Sequence, residues 1–331
     1  MRIVRTLALA VLLGALTNPL SGRFESEASE GVNHIVTSIK PVHALVSSVL
    51  AGIAEPELLL GGASSPHTYS LKPSQARSLQ QASLIFWIGE ELELFLVKPL
   101  STLGREAGVV TLEETPGVKR LAVREGGAFA SSKTAEDGNS ALQVQPGANS
   151  GNEQDNPIVY DPHIWLDPLN AELMVSYIAG RLAELDPDNA AQFTANAAAM
   201  RERLQQLTEQ VNTLLEPVRD RPFVVFHDGF RYFEDRFGLN AIGSLTVNPD
   251  TMPGVARITE IKNKVKDLEA ACVFSEPQFQ SRIVNVIREG TDAGAGVLDP
   301  LGSDLEEGPE LYFQLILNMA ESFRQCLSEK S

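Results

Sequence analysis

The chain alternates short apolar runs with segments of helical spacing, and it does so in two separate stretches. Short apolar runs bounded by turn residues are typical of buried strands, whereas apolar residues three and four positions apart indicate helices. Strands that alternate with helices predict a parallel sheet that is covered on both faces. The strand runs lie at 32–38, 57–60, 84–88 and 109–112, and again at 223–226, 241–245, 272–274 and 296–298. The pattern therefore predicts an α/β fold with two similar halves.

A long helix separates the two stretches. Asp186 and Pro187 form a helix start, because Asp caps a first turn and Pro fits its first position. Apolar residues then recur mostly three or four positions apart as far as Val218. This spacing predicts an amphipathic helix of about 30 residues that spans roughly 45 Å. Such a helix either packs on one core or joins two lobes as a rigid strut.

Residues 122–157 interrupt the first half. They are rich in Gly, Ser, Asn, Gln and Glu, and they hold few large apolar residues. A segment of this composition cannot bury enough apolar surface to form a core. We therefore expect a flexible insert at this point of the chain.

The N-terminus has the pattern of a secretory signal peptide. Arg2 and Arg5 give a short positive start, and residues 6–17 are uncharged and rich in Leu, Ala and Val. This run is too short to span a membrane, which needs about 20 apolar residues. We expect residues 1–22 to be removed on export. The alternative is an ordinary buried helix.

The charge of the chain restricts its partners. The net charge is -16, from 27 basic and 43 acidic residues. This balance repels phosphate backbones and anionic membrane surfaces, so that neither nucleic acid nor a lipid surface is expected as a partner. It is compatible with a cationic ligand, but it is also typical of ordinary acidic proteins. At 331 residues, the chain is expected to form two domains.

Cys272 and Cys326 are the only cysteines. In an oxidising compartment, an even pair suggests one disulfide, here between a strand and the terminal helix. Two buried free thiols are the alternative.

Three of the five histidines occupy similar positions in the pattern. His67, His163 and His227 each lie on a turn next to an apolar segment, and Asp299 holds the matching position later in the second half. Three imidazoles and one carboxylate form a tetrahedral ligand set that suits Zn²⁺ better than Mn²⁺. Taken singly, each histidine could equally be a hydrogen-bonded loop residue. We interpret His34, inside a strand, and His43, on the first helix, as structural or surface residues, with auxiliary metal binding as the alternative.

Six segments together resemble a known family. They are SIKPVHALV, GGASSPHTYSLKPSQ, DPHIWLDP, FHDGFRYF, FSEPQF and LDPLG. In this order they are similar to the metal-binding solute-binding proteins of ABC transporters (cluster A-I), and in particular to the zinc-binding ZnuA type. The resemblance extends from about Val32 to Cys326, apart from the insert.

The resemblance implies an architecture and a site. The expected fold has two Rossmann-like lobes with parallel sheets, joined by a long rigid helix: an N-terminal metal-binding lobe at 30–168, a linking helix at 187–219 and a C-terminal lobe at 220–331. The expected metal ligands are His67, His163 and His227, and Asp299 falls where the family has a fourth ligand or a nearby acceptor. Manganese members tend to carry Glu at the position of His227. The resemblance also implies a disulfide between Cys272 and Cys326.

The resemblance implies a function as well. We expect a periplasmic, non-enzymatic protein, a monomer, that binds Zn²⁺ with high affinity and delivers it to an ABC permease at the inner membrane. Two departures from the family matter. The insert contains no histidine and should collect zinc poorly, and Pro66 stands where some relatives carry a carboxylate, which leaves Asp299 or water as the fourth ligand.

Two other functions are compatible with three histidines. A secreted zinc hydrolase would need a general base, for which Glu276 is the attractive candidate, but the chain has no HExxH or GxSxG motif. A manganese- or zinc-binding adhesin is the other alternative. Asp161, Asp167 and Asp228 are candidates to orient the imidazoles, although caps and turns also explain such residues.

Overall fold

The computed structural model describes residues 32–104, 107–124, 158–246, 253–279 and 282–328. The predicted signal peptide, and the predicted insert from residue 125 onward, lie outside the described residues. Within the part of the chain that is described, no helix is both long enough and apolar enough to cross a membrane.

The first half of the chain forms a four-stranded parallel sheet in the order β2-β1-β3-β4. Every residue of the central strand β1 is buried, because helices cover both faces of the sheet. The predicted strands and helices of this half are confirmed, and His34 lies just before β1 rather than inside it. The elements are β1 (Ile35–Ile39), α1 (Lys40–Val49), β2 (Glu57–Leu60), α2 (Pro73–Gln81), β3 (Leu84–Trp87), α3 (Leu94–Thr102) and β4 (Gly108–Thr111).

Two long helices follow, α4 (Pro168–Leu185) and α5 (Ala190–Leu215). Helix α4 begins at Pro168 because the Asp167 carboxylate caps its first turn, accepting a hydrogen bond from the Leu169 N–H at 2.9 Å. Helix α5 has 26 residues and spans about 39 Å, with short 3₁₀ turns at Pro187–Asn189 and Glu216–Val218 on either side. The long helix predicted from the apolar spacing is therefore confirmed.

The second half repeats the first. Its sheet is parallel with the order β6-β5-β7-β8, so that the earliest strand again lies inside the sheet. Strand β8 begins at residue 294, two residues before the prediction, because Gly294 gives no apolar signal in the sequence. The elements are β5 (Phe223–His227), α6 (Arg231–Phe237), β6 (Ala241–Thr246), α7 (Val255–Asp267), β7 (Cys272–Ser275), α8 (Arg282–Arg288), β8 (Gly294–Val297) and α9 (Leu311–Ser328).

One hydrophobic core connects the two halves. It contains Ile35 and Ile39 from β1, Phe223 from β5, Phe323 from α9 and the buried stripe of α5. The stripe consists of the predicted apolar positions Phe193, Ala197, Met200, Leu204, Leu207 and Val211. Helix α5 therefore both packs on a core and joins the two halves, and smaller clusters fill the outer face of each sheet.

Cys272 and Cys326 form a disulfide that ties α9 to β7. Their Cα atoms lie 6.1 Å apart, and the two residues are 54 positions apart in the sequence. A Cβ at Gly294 would lie 3.1 Å from the Cys326 sulfur, so that glycine in β8 makes room for the bond. The predicted pairing is confirmed.

We expect loss of this disulfide to destabilise the protein by about 4 kcal/mol, since the bond closes a loop of more than 50 residues in the unfolded chain. Urea unfolding of the metal-free protein with and without reductant measures the change. The double variant Cys272→Ser/Cys326→Ser is the control, because reductant should leave its midpoint unchanged. An unchanged midpoint for the reduced natural protein, with two titratable thiols, would contradict the prediction.

Candidate metal centre

Three histidines come together at the carboxyl ends of the strands. His67 lies in the loop after β2, His163 lies just before the turn that leads into α4, and His227 is the last residue of β5. In open α/β sheets, loops at this edge form the ligand-binding crevice. His163 and His227 are only 5% and 3% exposed, so that neither ring is freely hydrated.

The geometry of the three rings fits one small cation. Their ligand nitrogens all lie within 4.8 Å of one another, and within the described residues this is the one such group of three or more His, Cys, Asp or Glu side chains. The Nε2 atoms of His163 and His227 are 3.3 Å apart. A tetrahedral Zn²⁺ with Zn–N bonds of about 2.0–2.1 Å places its ligand nitrogens about 3.3–3.4 Å apart. This pair is therefore already at zinc-binding distance.

Asp161 orients the His163 ring. Its Oδ1 lies 2.7 Å from His163 Nδ1 and also accepts the His163 backbone N–H at 3.0 Å. Because a carboxylate only accepts, Nδ1 carries the proton, and in the neutral ring Nε2 is left with its lone pair facing the site. The Tyr232 hydroxyl donates to the Asp161 carbonyl at 2.9 Å and fixes the loop from the opposite half of the chain.

Glu276 does the same for His227. Its Oε1 lies 2.6 Å from His227 Nδ1, and both side chains are almost fully buried. The sheet register explains the contact, because Phe223 pairs with Cys272 in the neighbouring strands β5 and β7. Four residues further along, His227 at the end of β5 therefore lies beside Glu276, the residue that follows β7. Burial lowers the pKa of His227, but the surrounding carboxylates, Glu276 first and then Asp161 and Asp228, together offset this, and the pKa is raised overall.

His67 is held differently. Among the described residues, no side chain forms a hydrogen bond with its ring, which lies 5.5 Å from the His163 ring and 6.0 Å from the His227 ring between centroids. Burial, together with the neighbouring histidines, lowers the pKa of His67 to about 2. This ring is therefore neutral, and able to ligate a metal, at any physiological pH.

Gly229 makes room for His227. A Cβ at this position would lie 2.1 Å from His227 Nε2, the atom that faces the other two rings. Any side chain here would displace the ligand atom, so the Asp-Gly that follows β5 is part of the site. The sequence pattern indicated a turn at His227 but no role for this glycine.

Asp299 does not join the three histidines. Its Oδ1 accepts hydrogen bonds from the backbone N–H groups of Leu301 and Gly302 and from Gln278 Nε2, and its Oδ2 accepts the Ser303 N–H at 2.6 Å. These hydrogen bonds hold the Asp299 carboxylate against the backbone of residues 301–303. Because both oxygens are hydrogen-bonded there, the structure does not place Asp299 as the fourth ligand.

Asp167 and Asp228, the other two candidates to orient the imidazoles, have partners away from the histidine rings. Asp167 caps α4 and pairs with Arg236 at 2.6 Å. Asp228 lies 3.5 Å from Arg124, which also pairs with Glu234. Burial raises the pKa of Asp228 and brings that of Glu234 to about 7, although Arg124 opposes both shifts. Arg124 thus connects the start of the predicted insert to the segment that follows His227.

The space between the histidines is small. The cavity measures about 10 Å³ and is lined by the three rings together with Trp165, Pro300 and Leu301, among others. A single water needs roughly this volume. The space between the three rings therefore suits a single ion.

Comparison with known proteins identifies the family. The model of the family described as ZnuA, zinc-uptake complex component A, periplasmic, matches residues 35–326. The chain belongs to the ZnuA family. The resemblance indicated by the six sequence segments is therefore confirmed. The ZnuA family is a family of zinc-transport components and not of enzymes.

Individual relatives agree with this assignment. The high-affinity zinc uptake system protein ZnuA of Brucella suis biovar 1 is 45% identical over an alignment of 334 residues, gaps included, that covers 98% of each chain. A crystal structure of ZnuA superposes with a TM-score of 0.72 at 26% identity, covering 89% of this chain and 98% of that one. The fold is shared with a mutant of the laminin-binding adhesin Lmb from Streptococcus agalactiae, which superposes with a TM-score of 0.71. That protein is 24% identical, and the match covers 89% of this chain and 99% of that one. The fold class predicted from the sequence is confirmed.

We expect Glu276→Gln to weaken metal binding about 10- to 100-fold, because a neutral amide holds the His227 ring less firmly in its ligating orientation. Competitive titration with a zinc chelator measures the affinity. Glu209→Gln on the exposed face of α5 makes the same chemical change far from the strand ends and should bind as the natural protein does. Equal affinity for both variants would show that Glu276 does not orient His227.

Proposed function

We propose that the protein captures Zn²⁺ in the periplasm at the three-histidine site and delivers it to the permease of an ABC transporter in the inner membrane. One observation carries the proposal. Asp161 and Glu276 hold the Nδ1 protons of His163 and His227, so that in the neutral rings two acceptor lone pairs face each other at 3.3 Å. Such an arrangement is unfavourable until a cation lies between the two lone pairs. His67 supplies the third protein ligand of that cation.

The donor set favours zinc over manganese. Three neutral imidazoles suit Zn²⁺, whereas Mn²⁺ prefers carboxylate and water oxygens. Both oxygens of Asp299 are engaged in its own turn, so we assign the fourth position to water. A tetrahedral site with one open position also leaves a path for ligand exchange when the ion is released.

The ligands come from both halves of the protein. We propose lobes at 30–168 and 220–331, with His67 and His163 in the first and His227 in the second. Bound Zn²⁺ then joins the lobes, while the shared core along α5 limits their relative motion. We propose that the protein acts as a monomer.

Two features oppose a hydrolase. Glu276, the candidate general base, is already committed to His227 Nδ1. The cavity between the rings, at about 10 Å³, also leaves little space for a substrate beside the metal. We therefore propose that the protein is not an enzyme. The likeness to the adhesin Lmb extends to the fold and favours no adhesive function here.

We expect the metal-free mature protein to bind one Zn²⁺ tightly and Mn²⁺ far more weakly, since the ligands are three imidazoles. His67→Ala and His227→Ala should each lose at least about 100-fold in zinc affinity, because each removes one of three protein ligands. Competitive titration with both metals measures this, and His34→Ala, outside the site, is the matched control. Weak zinc binding, or ligand variants that bind like the natural protein, would rule out the site.

We expect zinc affinity to fall as the pH is lowered from about 7.5 to about 5.5. The pKa of His227 is raised, so its ring gains a proton as the pH drops through and below the neutral range, and Zn²⁺ must displace that proton. Below that pKa the loss should approach about tenfold per pH unit. Isothermal titration at several pH values, corrected for the chelator's own protonation, measures the slope. A flat profile would contradict ligation by His227.

A further inference from the structure

Lys40 is a buried cation bound to the opposite half of the chain. It begins α1 in the first half, and only 5% of its surface is exposed. Its ammonium donates to the carbonyl oxygens of Gly302, Ser303 and Leu305 at 3.0, 2.9 and 2.6 Å. An ammonium has three donors, and all three are therefore used. None of the ion pairs among the described residues involves Lys40, so its direct partners are backbone carbonyl groups.

The same turn is held by Asp299. The Asp299 carboxylate accepts the N–H groups of Leu301, Gly302 and Ser303, whereas Lys40 binds carbonyl groups of the same stretch. Gly302 has a positive φ of 68°, which lets the chain turn sharply between the two charged groups. Two charged groups from different halves of the chain thus fix one short segment, residues 299–305. The Asp299 carboxylate binds its N–H groups, and the Lys40 ammonium binds its carbonyl groups.

This turn forms part of the wall of the metal site. Pro300 and Leu301 line the cavity between the three histidines. Trp165, whose ring centroid lies 5.2 Å from that of His163, donates its Nε1–H to the Pro300 carbonyl at 2.9 Å. The turn is therefore tied to the histidine site on one side and to α1 on the other.

We propose that Lys40 and Asp299 are positioning residues of an inter-lobe latch, which holds the 299–305 turn against the three-histidine site and slows the release of the bound metal. The proposal rests on the proposed function, and it gives Asp299 a role that acts through the turn instead of through the metal. Removing the ammonium leaves three carbonyl groups without their donor, those of Gly302 and Ser303 in buried positions, so that the turn moves away from Lys40 and opens the wall of the site. The ligands themselves stay in place.

The latch makes a specific kinetic prediction. Lys40→Met keeps the length and apolar stem of the side chain, and Asp299→Asn keeps the shape of the carboxylate. Each should raise the rate of zinc transfer to an excess of chelating dye about tenfold, as loss of outer-shell support does in metal sites. The double variant should be no faster than the faster single variant, because both residues act on one turn. Lys98→Met, on the exposed side of α3, is the matched control and should release zinc as the natural protein does.

Spectroscopy separates positioning from ligation. With Co²⁺ in place of zinc, both latch variants should keep the visible absorption bands of the natural protein, since the three imidazoles are unchanged. Altered bands for Asp299→Asn alone would mean that Asp299 is a ligand and would overturn its role in the latch. Release from Lys40→Met as slow as from Lys98→Met would overturn the proposal as a whole.

The test remains decisive if the proposed function fails. That failure would appear as a natural protein that does not bind one Zn²⁺ tightly, whatever the variants do. Hydrogen exchange of the Leu301, Gly302 and Ser303 amides in the metal-free protein then tests the latch by itself. We expect Lys40→Met to accelerate exchange at these amides at least about tenfold while the amides of β1 keep their protection, and unchanged exchange would contradict the latch.

Discussion

A single apolar core runs through both halves of the protein, and the metal site depends on it. The ligands come from three separate segments at the ends of two sheets. The distances between them therefore stay constant only if the two sheets keep their relative position. Helix α5 and the terminal helix α9 contribute side chains to the core that β1 and β5 share, and the Cys272–Cys326 bond ties α9 to the second sheet. Because the sheets are fixed relative to each other, the loops at their carboxyl ends hold the ligand nitrogens at a constant spacing.

Within that frame, buried carboxylates determine the chemistry of the site. Asp161 and Glu276 each hold an Nδ1 proton and turn an Nε2 lone pair towards the cavity. The two carboxylates also place negative charge behind their rings, which favours a dication in the site. His67 has no such partner among the described residues, and burial beside the other two rings keeps it neutral. The site thus combines two strongly oriented ligands with one that is less restrained.

The sequence predicted the fold and the three histidines well, because both leave local patterns. Apolar runs indicated the strands, and the spacing from Phe193 to Val211 indicated α5. Glu276 was noticed only as a possible base: its contact with His227 depends on β5 and β7 being neighbours in register, which is a long-range property. Asp299 was expected as a fourth ligand or a nearby acceptor, because of its position after β8 and the resemblance to the family. Its carboxylate instead accepts the N–H groups of its own turn, and no residue pattern distinguishes these two uses of an aspartate.

The two lobes are restrained at two places, and this has a consequence for metal release. The core along α5 holds them at the back, and the bonds from Lys40 to the 299–305 turn hold them at the metal site. Opening the whole cleft would require both to give way, including a buried ammonium that would lose three acceptors at once. The wall of the site can yield at lower cost, because moving this one turn breaks its bonds to Lys40 but leaves the shared core along α5 intact. In this architecture the proposed latch therefore lets metal exchange proceed by local movement of that turn, while the sheets remain in place.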